Sequence, residues 1–186
     1  MTQKKIPLAH LPTKIESLPR LTKALGGPQI FCKRDDQTGL GFGGNKTRKL
    51  EYLLAEALNQ EAKTLVSVGS IQSNHCRQTA ALAARFGLEC ILVLSGTEPE
   101  KVTGNLFLDR LFGAQIIWAD RDNRDQVLEE VILKAKQEGK APYKIPYGGS
   151  SRVGMLGYVD AMRELRLEED KTGINFDWIV TASSSG

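Results

Sequence analysis

From residue 47 to residue 167 the chain alternates two apolar patterns, and that alternation narrows the folds open to it. Residues 47–60, 76–86, 103–112, 124–138 and 155–167 read as helices. In the first, Leu50, Leu53, Leu54, Ala57 and Leu58 recur at the spacing of one buried helical face. In the fourth, Val127, Leu128, Val131, Ile132 and Ala135 do the same. Gly87 and Gly139 stand where left-handed C-terminal caps are expected. Short apolar runs at 29–33, 64–68, 89–94, 115–118 and 142–145 read as strands. Strands alternating with helices predict an α/β fold with a mainly parallel sheet. Residues 1–27, interrupted by Pro7, Pro12 and Pro19, are expected to be irregular apart from a short helix within 17–25. Residues 177–182 read as one more buried strand, and the chain stops at Ser183–Gly186, where a helix normally follows. The expectation is a chain cut in mid-motif.

Composition excludes several functional classes. The 186 residues are 41% hydrophobic and 25% charged, ordinary for one globular domain or two small ones. A net charge of +3 without a run of like charges makes no case for nucleic acid. No apolar signal core follows Met1 and no apolar run has spanning length, so no membrane association and a cytoplasmic location are expected. Cys32, Cys76 and Cys90 read as reduced, mostly buried thiols. His75 beside Cys76 lacks further ligands at metal-binding spacing, so no metal is expected. There is no G-x-S-x-G nucleophile elbow.

Parallel sheets bind ligands in the loops at the carboxyl ends of their strands. Loops 39–46, 69–75, 146–154 and 183–186 have that position and carry small or polar residues. In the first, Gly39, Gly41, Gly43 and Gly44 lead directly to Lys46 at a helix start. Glycines there would let a ligand approach the backbone. An ammonium at the positive end of a helix dipole is biased toward its neutral, nucleophilic form, which suits a lysine that forms a Schiff base with a carbonyl. Gly39, Gly41 and Gly44 also match a dinucleotide fingerprint, but the next strand ends at Val68-Gly69-Ser70 without the acid a ribose needs. A P-loop is out of register because Asn45 separates Gly44 from Lys46. A surface turn with a solvated lysine stays open. Ser73 and Asn74 are either helix N-caps or part of an anion site. Ser183, Ser184, Ser185 and Gly186 are either a polar tail or the start of a phosphate cup. A lysine, a phosphate cup and hydrogen-bonding groups at a ring are together what pyridoxal 5'-phosphate needs.

The stretches Lys33-Arg34-Asp35-Asp36, Gly43-Gly44-Asn45-Lys46-Thr47-Arg48-Lys49-Leu50-Glu51-Tyr52 and Gln72-Ser73-Asn74-His75-Cys76-Arg77-Gln78-Thr79 carry a resemblance. So do Pro146-Tyr147-Gly148-Gly149-Ser150 and Gly154-Met155-Leu156-Gly157-Tyr158. In collinear order they resemble the pyridoxal-phosphate family of D-cysteine desulfhydrases and aminocyclopropane-carboxylate deaminases, of tryptophan-synthase-β-like fold (fold type II). The resemblance implies that Lys46 is the Schiff-base lysine and the base for the Cα proton. It implies that Asn74 meets the cofactor ring oxygen and that Ser73 lies near the substrate carboxylate or assists proton transfer. Ser183, Ser184, Ser185 and Gly186 would begin the phosphate cup. Ser73, Asn74 and His75 would face a small amino-acid substrate. His75 stands where the deaminases commonly have glutamine, which favours the desulfhydrase branch. The family's architecture implies residues 1–48 as part of a large domain, 49–159 as a small α/β domain and 160–186 as the start of the remainder. Homodimerisation of a full-length form is what the family suggests. Family members are much longer, so the chain by itself is expected to be inactive or nearly so, or to serve as an interaction module.

Overall fold

The computed structural model describes residues 4–182. Its central element is a four-stranded parallel sheet formed by β3 (Thr64–Ser70), β4 (Glu89–Ser95), β5 (Gln115–Ala119) and β6 (Pro142–Lys144), in spatial order β5-β4-β3-β6. The strands are short and apolar because both faces of the sheet are covered. On β4, Leu92 and Leu94 alternate with Ile91 and Val93, and the two sets enter separate cores. One core, with Leu65 of β3, receives α2 (Lys46–Asn59), α3 (Asn74–Phe86) and Leu106 of α4 (Gly104–Leu111). The other, with Val66 and Val68, receives Leu128 and Ile132 of α5 (Arg124–Gln137). Leu50, Leu53, Leu54 and Ala57 are buried as their spacing predicts, while Leu58 lies at the margin, 37% exposed. Gly87 closes α3 in the left-handed conformation, its N–H returning to the carbonyls of Ala83 and Ala84.

The order of connection locates the site. The chain steps outward from β3 to β4 to β5, then returns across the sheet to place β6 on the other side of β3. The loops after β3 and β6 therefore diverge and leave a crevice at their carboxyl ends. The helix α6 (Arg152–Thr172) follows β6 and packs across α2. At this crossing Gly157 approaches the α2 backbone so closely that a Cβ there would lie 2.3 Å from the Arg48 carbonyl oxygen. The expected divisions after residues 48 and 159 fall inside these two crossing helices.

Several local expectations are corrected. A strand, β1 (Ile15–Ser17), lies before α1 (Pro19–Leu25) within the segment expected to be irregular, and pairs antiparallel with β2 (Phe31–Lys33), which falls in the strand expected at 29–33. Three residues are too few to show an alternation, so pairing alone reveals β1. Helix α6 begins three residues before the expected start, because Ser151 caps it by accepting from the Gly154 N–H at 3.1 Å. Residues 177–182 form no strand in the described part of the chain, and Trp178 and Val180 are 86% and 92% exposed. Both sides of β3 are already taken by β4 and β6, and no described strand pairs with this apolar run.

The N-terminal segment is fastened to α2 and α6 through one buried cation. Arg48, 1% exposed, donates from Nε and Nη2 to Asp35 and from both Nη atoms to Glu164. Lys33 Nζ adds a 2.6 Å bond to the same Glu164, and the Thr13 N–H another at 2.9 Å. A guanidinium out of water needs several well-placed acceptors, and here two carboxylates and the Thr13 hydroxyl supply them. Among the described residues no helix is long and apolar enough to cross a membrane, and no cluster of His, Cys, Asp and Glu could hold a metal ion.

Candidate active site

The glycine loop comes first in chain order, and its glycines accommodate protein rather than an open ligand face. Gly43 has φ +76°, and a Cβ there would lie 2.0 Å from the Asp36 carbonyl oxygen. Gly44 has φ +128°, and its Cβ would lie 2.5 Å from Gln78 Nε2. A side chain at either position meets both a strained backbone and an occupied space. Thr38 Oγ1 donates to the Gly44 carbonyl at 2.8 Å and accepts from its N–H at 2.9 Å. Arg77 of α3 donates to the Gly43 carbonyl at 2.6 Å, and Thr47 donates to Gln78 at 2.8 Å. The loop is thus clamped between the Asp36 turn and α3, and this clamping aims the first residue of α2.

That residue is Lys46. It is half-buried, with Nζ 3.1 Å from Asn45 Oδ1, and no carboxylate pairs with it among the described residues. Its pKa is lowered, first by burial and then by the positive charge of Lys49 one turn further on. Lys46 also stands at the N-terminus of α2, as expected, so burial and Lys49 act beside the helix dipole. Asn45 Oδ1 also accepts from Asn74 Nδ2 at 3.1 Å, so one amide oxygen ties the lysine to the first residue of α3.

Lys46, Ser70, Gln72, Ser73, Asn74, His75, Tyr147 and Gly148 line a cavity of about 230 Å³ in the crevice between the β3 and β6 loops. Ser73 is the N-cap of α3, its Oγ accepting from the Cys76 N–H at 3.2 Å, so its hydroxyl hydrogen remains available for a second partner. Asn74 is exposed toward solvent. Gln72 is anchored to the following loop by the Asn105 N–H at 2.8 Å.

His75 lines the cavity floor, but its side chain is buried and Nε2 is 2.9 Å from Ser67 Oγ on β3. Burial, with the nearby positive charges of Lys46 and Lys49, lowers its pKa to about 3 and keeps the ring neutral at working pH. A buried ring bonded to the sheet supports the α3 start from beneath. The turn places Asn74 outward and His75 inward, a distinction that adjacent letters do not carry. Lys46, Ser73 and Asn74 are brought together; Ser183, Ser184, Ser185 and Gly186 lie outside the described residues.

Lys49, Asn45, Ser70, Gln72, Tyr147 and Gly148 have no role in the sequence-derived site. The first was within reach of pattern, since residues three apart share a helical face. The others depend on how the β3 loop, the β6 loop and the glycine loop meet the cavity.

Residues 6–186 match the family described as "Pyridoxal-phosphate dependent enzyme". The chain belongs to this family. A 1-aminocyclopropane-1-carboxylate deaminase of Rhizobium rhizogenes is 43% identical over 97% of the chain and 57% of its own length. A D-cysteine desulfhydrase of Klebsiella pneumoniae is also 43% identical, over 97% of the chain and 56% of its own length. The chain thus spans little more than half the length of these curated relatives. The crystal structure of an ACC deaminase homologue superposes with a TM-score of 0.82 at 40% identity, covering 89% of this chain and 51% of that one. Diaminopropionate ammonia lyase of Escherichia coli, at 22% identity and a TM-score of 0.62, shares the fold. The α/β fold is that of the type II pyridoxal-phosphate enzymes, and pyridoxal phosphate is the family's cofactor.

The site fits that cofactor on its own geometry. An aldehyde needs a primary amine that is partly desolvated and free of a carboxylate, and Lys46 meets both conditions within the described residues. A flat ring needs a cleft with a hydrogen-bond donor at its edge, and Asn74 stands at the cavity wall beside the lysine.

Proposed function

We propose that this chain carries the lysine-bearing part of a lyase that eliminates and deaminates a small amino acid, with D-cysteine as the first candidate substrate. The supporting observation is Lys46: a half-buried amine with a lowered pKa, unpaired by acid among the described residues, in the crevice between the loops after β3 and β6. Lys46 Nζ would hold the cofactor through its aldehyde carbon, and Asn74 Nδ2 would donate to the ring oxygen. When bound, the cofactor supplies an electron sink for charge developing at the substrate Cα.

The chain's own residues do the rest. Lys46 Nζ, when not bonded to the cofactor, would act as a neutral base for the substrate Cα proton. Burial and Lys49 favour that neutral form. The Ser73 hydroxyl and the first N–H groups of α3 are donors for the substrate carboxylate, an anion at a helix N-terminus. Glycines 43 and 44, clamped by Arg77 and Gln78, hold the lysine in place while it exchanges partners. The net reaction is D-cysteine and water to pyruvate, hydrogen sulfide and ammonia.

A second reading is ring opening and deamination of aminocyclopropane carboxylate, favoured by relatives of that name at the same identity. His75, buried on Ser67, does not help choose between them. Incubation of the chain with pyridoxal phosphate, borohydride reduction and peptide mapping test the site: the reduced adduct is expected on Lys46 and to vanish in Lys46→Ala. Sulfide release from D-cysteine and ammonia release from the cyclopropane substrate, measured on a full-length form, separate the two reactions. An adduct spread over surface lysines would refute the site, and neither product would refute the activity.

A further inference from the structure

Lys49 is the second lysine on the cavity side of α2, and it is buried more deeply than Lys46, at 6% exposure. Its stem runs against Gly149, where an added Cβ would lie 3.2 Å from Lys49 Cδ. Its Nζ donates to the Gly148 carbonyl at 3.2 Å and to Ser150 Oγ at 3.0 Å, and lies 6.0 Å from the centre of the Tyr158 ring. No carboxylate pairs with it among the described residues. A buried ammonium without a counter-ion is destabilising, and an apolar side chain of that length would fill the same slot more easily. Burial lowers the Lys49 pKa as well, but the slot gives its ammonium two oxygen acceptors and an aromatic face that oppose the loss of its proton.

We propose that Lys49 is a positioning residue for Lys46: a buried, better-solvated ammonium one turn away on the same helical face, whose charge makes Lys46 the lysine that gives up its proton first. The asymmetry is structural. Lys49 has the Gly148 carbonyl, Ser150 and the Tyr158 ring around its ammonium. Among the described residues Lys46 has only Asn45 Oδ1, which it shares with Asn74. Of two adjacent ammonium groups, the one with fewer acceptors deprotonates first, and its neighbour's charge then favours the neutral form. The other titratable groups facing the pair are His75 from α3, held neutral, and the Tyr158 phenol from α6, whose pKa burial raises. The Arg48, Asp35 and Glu164 cluster lies behind Tyr158, where its charges are mutually paired. Lys49 also fixes the Gly148 carbonyl at the cavity wall, so the charge and one wall of the cavity are set by the same side chain.

The role of Lys46 in catalysis rests on the proposed function, but the coupling between the lysines does not, so it is tested without cofactor. Competitive labelling of the folded chain with trace acetic anhydride across pH, read by peptide mass spectrometry, reports the ionisation and nucleophilicity of each lysine. Lys46 is expected to reach half-maximal labelling at lower pH than both Lys49 and the exposed Lys134. In Lys49→Met its labelling at neutral pH is expected to drop about tenfold, and in Lys49→Arg, which keeps the charge, to stay near wild type. Lys49 titrating below Lys46 in the unmodified chain overturns the proposal without any variant having to fold. A folded Lys49→Met with an unchanged Lys46 profile overturns it as well. Normal coupling with no pyridoxal-phosphate adduct on Lys46 would strike the functional reading alone.

Discussion

Replacing Gly157 with alanine tests the packing that positions the site lysine. The added Cβ would lie 2.3 Å from the Arg48 carbonyl oxygen, 2.4 Å from its carbonyl carbon and 2.8 Å from the Lys49 amide nitrogen. Ordinary contact for such a carbon begins near 3.4 Å, and all three neighbours are backbone atoms that cannot rotate away. Helices α2 and α6 must therefore move apart by about 1 Å, and the dispersion contacts along their crossing weaken. Overpacking of this kind costs about 1–3 kcal/mol, with rigid backbone neighbours at the upper end. Alanine recovers about 1 kcal/mol of helix propensity over glycine. The net expectation is a loss of about 2 kcal/mol, which for a chain of this size is a fall of about 5 °C in Tm. Thermal and urea unfolding followed by far-UV circular dichroism measure it. Gly27→Ala, with nothing within 4 Å of its added Cβ and no positive φ, is the control and should unfold with wild type. A Gly157→Ala chain as stable as wild type, or more so, would show that α2 and α6 do not touch there and would remove the stated reason for the position of Lys46 and Lys49.

Other consequences are testable on the same material. Burial alone would raise the Glu164 pKa, but hydrogen bonds from Arg48 and Lys33 outweigh it and hold the carboxyl near 2 in the folded chain. Its contribution is therefore complete above the ordinary glutamate pKa and lost as pH falls toward 2; it amounts to about 3 kcal/mol, and denaturation midpoints between pH 5 and 2 should track it. Glu164→Gln should flatten that acid dependence and begin from a lower midpoint, since Arg48 loses one of its two acidic partners. Asp109 has the opposite sign. Fully buried, with both carboxyl oxygens lacking a hydrogen-bond partner, it is raised to about 7 by burial against a smaller pull from Arg77. The folded chain then binds this proton more tightly than the unfolded one, so this residue's effect is a loss of stability as pH rises from about 4 to 7. Asp109→Asn should unfold at higher temperature than wild type at pH 8 and nearly with it at pH 4, by calorimetry. Gly43→Ala should both destabilise the chain by about 2 kcal/mol or more and slow cofactor trapping on Lys46, because the strained loop carries the helix start.

The fold class was legible because it depends on local periodicity. Leu50, Leu53, Leu54 and Ala57 repeat at helical spacing, the β3 and β4 runs are apolar on both faces, and Gly87 ends α3 where its backbone freedom is required. Segments whose structure depends on a distant partner were not legible. Ile15–Ser17 is a strand because Phe31–Lys33 lies beside it, and 177–182 has the composition of a strand without a described neighbour to pair with. The start of α6 turned on a single hydrogen bond from the Gly154 N–H to Ser151 Oγ, which the glycine-serine run before it conceals.

For the site, the chain's letters by themselves determined the candidates: a lysine at the end of a glycine loop, a Ser-Asn pair at a second helix start and, by resemblance, a carbonyl cofactor. What only the tertiary structure decided is which groups meet and in what state. The crossover that returns β6 to the far side of β3 opens the crevice and brings Tyr147 and Gly148 to Lys46. The α2–α6 crossing buries Lys49 with no acid beside it among the described residues, and the first turn of α3 points His75 inward to Ser67 while Asn74 stays outside. Protonation follows burial and neighbouring charge, which are properties of three-dimensional distance, and residues that are adjacent or far apart in the chain carry no record of them.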